Sequence, residues 1–182
     1  MKEGTGTIYM TLSDTNKKPI NEIVLKDIKM EVFQDYKKPS MLLSTAYCTW
    51  KCCTEHGLDI SVCQNSELAK QRNSVYKFDM IYNMYQKNGI TKAIIIAGLE
   101  PMLQFQEVIS LIDYFRSRNS NDTFVIYTGY NKEELVEQIE ELKKYPNIVV
   151  KYGRYVPDSE SRYDEVLGIT LASSNQYAEK IS

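Results

Sequence analysis

Apolar positions along the second half of the chain follow two rhythms. Short β-branched runs alternate with stretches whose apolar residues recur every three or four positions. Lys92–Ala97 (KAIIIA) has the composition of a strand buried on both faces, Thr123–Tyr127 (TFVIY) is the next strand and Ile148–Lys151 a third. Between the runs lie helical faces. Val75, Phe78, Ile81, Tyr82 and Tyr85 mark a helix that Ser74 would cap and Asn88-Gly89 would stop. Phe105, Val108, Ile109, Ile112 and Phe115 mark a second helix, following Pro101. Asn131 with Glu134 three positions on reads as a capping-box variant; it opens a third helix carrying Leu135, Ile139 and Leu142, which Tyr145-Pro146-Asn147 ends. Strand, helix, strand, helix, strand predicts a parallel sheet with right-handed crossovers.

The first 45 residues are patterned differently. Ile8–Leu12, Lys29–Phe33 and Met41–Ser44 read as strands, with turn residues at Asn16–Pro19 and Lys37–Pro39. Near the other end, Val166–Leu171 reads as a final strand. No repeat or low-complexity linker divides the chain. The expectation is one α/β domain over 1–182, with an N-terminal β extension at 1–40 and a core at 41–182.

Composition narrows the classes. With 25% charged and 43% hydrophobic residues the chain has the balance of a soluble globular protein. A net charge of −2 argues against a general nucleic-acid binder, which carries a basic excess. MKEGTGTIYM lacks the apolar run of a signal peptide, and the apolar stretch around Ile94–Ala97 is far too short to cross a bilayer. The expected address is the cytoplasm, where thiols stay reduced.

Candidate chemistry concentrates in one loop. Cys48, Cys52 and Cys53 sit within six residues just past the strand Met41–Ser44, and Cys63 follows ten residues later. Ligand sites in α/β sheets collect at the carboxyl ends of strands. Clustered thiolates suit iron–sulfur clusters, zinc or copper(I). Three thiolates on a four-iron cluster leave one iron open to a small molecule; four would close it. Four thiolates also make a structural zinc site, but such sites are usually built from paired Cys-x-x-Cys knuckles, which this chain lacks. Plain free cysteines are the remaining alternative. His56, the single histidine, reads as a solvated loop residue.

Cys48-x3-Cys52 followed by Cys63 resembles the radical S-adenosylmethionine (SAM) signature Cys-x3-Cys-x2-Cys with its last gap stretched. The likeness sharpens against the activating proteins of anaerobic ribonucleoside-triphosphate reductase, whose loop reads Cys-Asn-His-Lys-Cys-Pro-x-Cys-x-Asn. The lysine before the second cysteine (Lys51) and the asparagine two after the third (Asn65) are both kept. Ten residues separate Cys52 from Cys63 where the family has two, an insertion that costs little chain entropy. Gly98-Leu99-Glu100-Pro101 resembles the family's Gly-Gly-Glu-Pro, and Thr128-Gly129-Tyr130 its Thr-Gly-Tyr. Lys151-Tyr152-Gly153-Arg154-Tyr155 is similar to its Asp-Gly-Arg-Phe segment, and Ala172-Ser173-Ser174-Asn175-Gln176 to its Gly-Ser-x-Asn-Gln.

The resemblance, over roughly Met41 to Gln176, implies an incomplete β/α barrel of the short radical SAM type with a mostly parallel sheet. It implies a 4Fe-4S cluster on Cys48, Cys52 and Cys63, with Cys53 as an alternative second ligand, and SAM as cosubstrate. Gly98, Glu100, Pro101, Thr128, Tyr130, Asn65, Ser174 and Asn175 are the implied cofactor-binding positions; the radical chemistry itself belongs to the cofactor. The implied activity is reductive cleavage of SAM to a 5′-deoxyadenosyl radical by an anaerobic glycyl-radical activase. Its partners would be a glycyl-radical enzyme and a one-electron donor such as flavodoxin or ferredoxin, with no nucleic acid or membrane. A radical SAM enzyme with another target, or a non-catalytic metal-binding or electron-transfer protein, are the alternatives.

Overall fold

The computed structural model describes residues 19–182. The expected strand Ile8–Leu12, and the expected turn from Asn16 apart from Pro19, lie outside the described residues. In chain order the elements are β1 (Glu22–Val32), β2 (Ser40–Thr45), α1 (Lys51–Thr54), α2 (Ser66–Lys70), β3 (Ser74–Lys77), α3 (Phe78–Lys87), β4 (Ala93–Gly98), α4 (Phe105–Arg116), β5 (Thr123–Tyr127), α5 (Val136–Leu142), β6 (Ile148–Tyr152), β7 (Arg162–Asp164), β8 (Ile169–Leu171) and β9 (Tyr177–Lys180).

Seven strands form one sheet in the order β3-β1-β2-β4-β5-β6-β9. Its centre is parallel: β2 pairs β4, β4 pairs β5, and β5 pairs β6. Antiparallel strands close both flanks, β1 and β3 on one side and β9 on the other. The fold is therefore mixed α/β around a mostly parallel centre. The apolar runs explain it. Ala93, Ile94, Ile95 and Ile96 are all fully buried, because both faces of β4 are covered.

Alternation along the strands divides the core into two layers. Ile94, Ile96, Phe124, Ile126, Ile148 and Val150 face α3, α4 and α5. Phe115 of α4 sits edge-on to Phe124 at 5.4 Å and to Tyr82 of α3 at 5.1 Å. Ile95, Val125 and Val149 face the other way, where Tyr36, Leu167 and Leu171 cover them. The hairpin of β7 and β8 belongs to this second layer, which leaves the sheet beside β2 and β4 uncovered at the carboxyl ends of the strands.

Three expectations need correction. Ser74 does not cap a helix: Ser74–Lys77 pairs with β1 as an edge strand, Val75 is exposed there, and the helix begins at Phe78. β1 begins seven residues before the expected Lys29, since its first half pairs with β3 and buries Ile23 and Leu25 in the core. Val166–Leu171 is not the last strand; it contributes β8 to a hairpin, and Tyr177–Lys180 closes the sheet against β6. Among the described residues no helix is long and apolar enough to cross a membrane.

Candidate metal centre

The carboxyl ends of β2, β4 and β5 meet at one cavity of about 160 Å³, and all four cysteines line it. Cys48 lies three residues past β2. Trp50 then takes the left-handed conformation (φ 61°), which turns its N–H back to Cys48 Sγ at 3.2 Å. α1 follows at once and carries Cys52 and Cys53.

The stretched gap between Cys52 and Cys63 folds compactly. Leu58 donates its N–H to Cys53 O at 2.9 Å, and Asp59 caps a short turn at Ile60–Val62 by accepting from Ser61 N–H at 2.8 Å. Cys63 emerges from that turn facing the cavity. Asn65 secures it twice, since its N–H donates to Cys63 Sγ at 3.4 Å and its Nδ2 to Gly98 O at 2.6 Å. The insertion thus returns the third thiol to the rim that the first two occupy.

The four thiols are not equivalent. Burial pushes the Cys48 thiol up to about 11; Glu100 and the thiols of Cys52 and Cys63 push the same way, against the Trp50 N–H. Burial raises Cys52 too, and Cys63 and Glu100 add to it. Cys53 is only 3% exposed and packs as a small apolar residue at the base of the insertion, where Leu58 folds over its carbonyl. Neutral thiols of this kind become thiolates when a metal displaces the proton.

Opposite the thiols, Gly98 ends β4 with φ 88°, and a Cβ there would stand 2.9 Å from Ser44 Cα. Only glycine lets β4 turn away this close to β2. The turn delivers Glu100, 5% exposed, to the cavity wall. Its Oε1 accepts from Met102 N–H at 3.0 Å and Thr128 Oγ1 at 2.8 Å, and its Oε2 from Gly129 N–H at 2.9 Å. Burial raises its pKa while those donors and Lys151 oppose. A carboxylate has about four acceptor positions, so one stays open toward the cavity. Glu100 thereby ties the ends of β4 and β5 together.

The other expected positions divide. Gly98, Asn65, Glu100 and Thr128 are on the cavity wall. Pro101 is buried one step behind, in the first position of the turn before α4. Tyr130 borders an adjoining recess with Cys48 and Cys52, under the Lys51 ammonium at 4.9 Å from its ring. Ser174 points outward to Ser159, and Asn175 Nδ2 donates to Arg154 O at 2.9 Å; their neighbour Gln176 reaches the cavity instead.

Sequence resemblance covers the Lys151–Tyr155 segment but gives its two cations no role. Arg154, 7% exposed, grips Glu134 with both terminal nitrogens at 2.7 and 2.9 Å and places Nη2 3.0 Å from Glu55 Oε1. Glu55 belongs to the insertion, so Arg154 pins that loop to the end of β6. Lys151, also 7% exposed, lies inside β6. A lysine within the apolar run Ile148–Tyr152 was the available signal.

The donor set fits an iron–sulfur group. Soft thiols from three segments surround one cavity, and a Cβ at Gly129 would come within 3.1 Å of Cys52 Sγ, so the glycine keeps that wall open. Among the described residues no three His, Cys, Asp or Glu side chains close on a point that would hold a single metal ion. What fold and site define is a mixed α/β protein with a thiol-lined cavity at the carboxyl end of its sheet. The family described as "4Fe-4S single cluster domain" matches residues 39–177, and the chain belongs to it. Nothing among curated proteins or solved structures matches it.

Proposed function

We propose that the chain is a radical SAM enzyme of the glycyl-radical activase kind, with Cys48, Cys52 and Cys63 holding a 4Fe-4S cluster. The observation that carries this reading is the convergence of those thiols, Gly98 and Glu100 on one cavity, in the order the family resemblance requires. The cluster, when bound, supplies one electron to the SAM sulfonium, releasing methionine and a 5′-deoxyadenosyl radical.

The chain's residues then have separate tasks. The remaining acceptor position of Glu100 and the carbonyls around Gly98 receive the SAM ammonium. Thr128 and Gly129 hold the carboxylate of Glu100 still by hydrogen bonds of 2.8 and 2.9 Å. Asn65 couples the third thiol to that wall, and Tyr127 and Gln176 shield the cavity from water. The mostly parallel sheet would be the wall of an incomplete β/α barrel, with residues 1–40 as an extension of a single domain. Tyr47, Ile60 and Val62, on and beside the cysteine loop, are exposed, which suits a macromolecular target such as the glycine loop of a glycyl-radical enzyme. A flavodoxin or ferredoxin would deliver the electron.

Anaerobic reconstitution followed by reduction with SAM tests this directly. Incorporation of about four irons and four sulfides per chain, with release of 5′-deoxyadenosine, is expected. Zinc binding without iron, or a loaded cluster that never cleaves SAM, overturns the radical reading. A glycyl-radical signal on a candidate partner, mixed with the reduced protein and SAM, tests the activase assignment.

A further inference from the structure

Among the described residues Lys151 is the one charged side chain buried within a central strand of the sheet. Val149, two residues earlier, packs in the layer that covers Val125 and Ala178, so Lys151 projects from the same face. Its register partners are Tyr127 on one side and Ala178 on the other. The small alanine leaves room for the lysine stem, and Tyr127 is part of the cavity wall. Lys151 Nζ donates to Gly153 O at 3.0 Å, the same carbonyl that accepts from Gln176 Nε2 at 3.3 Å. Gln176 also lines the cavity, so the ammonium lies behind the cavity wall, next to two of its residues.

An ammonium has three donors. Among the described residues Lys151 Nζ has that single acceptor, with the Tyr127 ring 6.0 Å away. Such a buried charge is costly unless opposite charge lies near. Glu100 and Cys52 are the groups that favour its ammonium form, against burial, which pulls it down to about 8. Glu100 accepts only from the uncharged donors of Met102, Thr128 and Gly129, so Lys151 also offsets part of its charge. With two of its three donors unused, and Tyr127 and Gln176 of the thiol-lined cavity beside it, the ammonium lies where charge gained by that cavity's contents would act on it.

We infer that Lys151 is a positioning residue that offsets the negative charge the cysteine-bound group gains on one-electron reduction, and so holds its potential within reach of the donor. This rests on the reading of Cys48, Cys52 and Cys63 as cluster ligands. Cluster potentials respond to nearby charge and burial, and a fixed cation in a low-dielectric wall acts over several ångströms with little screening. No bond is made or broken at Lys151. The electron comes from the external one-electron donor, and Lys151 changes only the free energy of accepting it.

The test is a potentiometric titration, followed by electron paramagnetic resonance, of reconstituted wild type, Lys151→Met and Lys151→Arg. Methionine keeps the stem's length and removes the desolvated charge, so folding is expected to survive. With equal iron content, Lys151→Met should shift the reduction equilibrium about tenfold toward the oxidised state, a midpoint about 59 mV more negative for a one-electron couple. Lys151→Arg should stay near wild type. Equal potentials in wild type and Lys151→Met overturn the inference while leaving the cysteine reading standing. An equal displacement in the arginine variant overturns it too, because packing rather than charge would then be at work. Failure of the wild type to take up iron removes the cysteine reading and this inference with it.

Discussion

At the scale of single residues, the site depends on a few side chains with no substitute. Both Cys53 and Cys63 border the cavity, but Cys53, nearest in sequence to two ligands, is buried as a small apolar residue, while the distant Cys63 is half-buried. Cys53→Ala should therefore retain the iron of the reconstituted protein and its 5′-deoxyadenosine yield, whereas Cys63→Ala should lose cleavage altogether; iron assay with product chromatography checks both. Gly98 makes a different demand. Alanine there would meet Ser44 Cα at 2.9 Å and be held at φ 88°. Gly98→Ala should cost about 1–3 kcal/mol by strain alone, measured by urea denaturation of the apo protein. Glu100→Gln puts an amide donor against backbone and hydroxyl donors; leaving one of them unpaired should cost about 1–3 kcal/mol in the same assay.

At the scale of elements, the cysteine insertion is held by charge. Arg154 joins Glu55 of the insertion to Glu134 of the turn before α5. The Arg154 hydrogen bond, with smaller help from Asn131 and Lys51, lowers the Glu134 carboxyl from 4.5 to about 2. A carboxyl whose folded pKa is depressed contributes its stabilisation in full above the unfolded value, and that contribution fades as pH falls through the folded value. The stability advantage of wild type over Glu134→Gln should thus be whole at neutral pH, shrink from about pH 4.5 and vanish near pH 2. Urea midpoints of the two proteins across that range decide it. Elements were legible where burial was two-sided: KAIIIA and TFVIY became β4 and β5 within a residue of expectation. The capping box at Asn131 also formed, because its contacts are local. What escaped was non-local. Ser74 resembles a helix cap until β1 offers it a strand partner 49 residues earlier, at Leu25. β9 alternates too weakly to announce itself and exists because the edge of β6 needs covering. Likewise the cysteines and Glu100 could be read from motif order, whereas the meeting of Glu55 with Arg154 depends on the insertion's path across the sheet.

At the scale of the whole molecule, the sheet is stabilised by its helical layer rather than by the site. Phe115, wholly buried, touches Phe124, Tyr82 and Tyr85 edge-on. Phe115→Ala should cost about 3–5 kcal/mol, seen as a lowered urea midpoint, with the iron-binding stoichiometry of the folded fraction unchanged. The far edge is equally dependent on cover. Removing 177–182 would strip β9 and bare β6, and the truncated protein should elute as aggregate in size-exclusion chromatography.

Glu100 takes three hydrogen bonds from Met102, Thr128 and Gly129, and Asn65 joins the Cys63 thiol to Gly98, all through the chain's own groups. The wall opposite the thiols is therefore tied together by the polypeptide itself, in contrast to domains held only by their metal. Loss of a cluster in air should then leave the circular dichroism unchanged, and fresh iron and sulfide should restore the bound iron without an unfolding step.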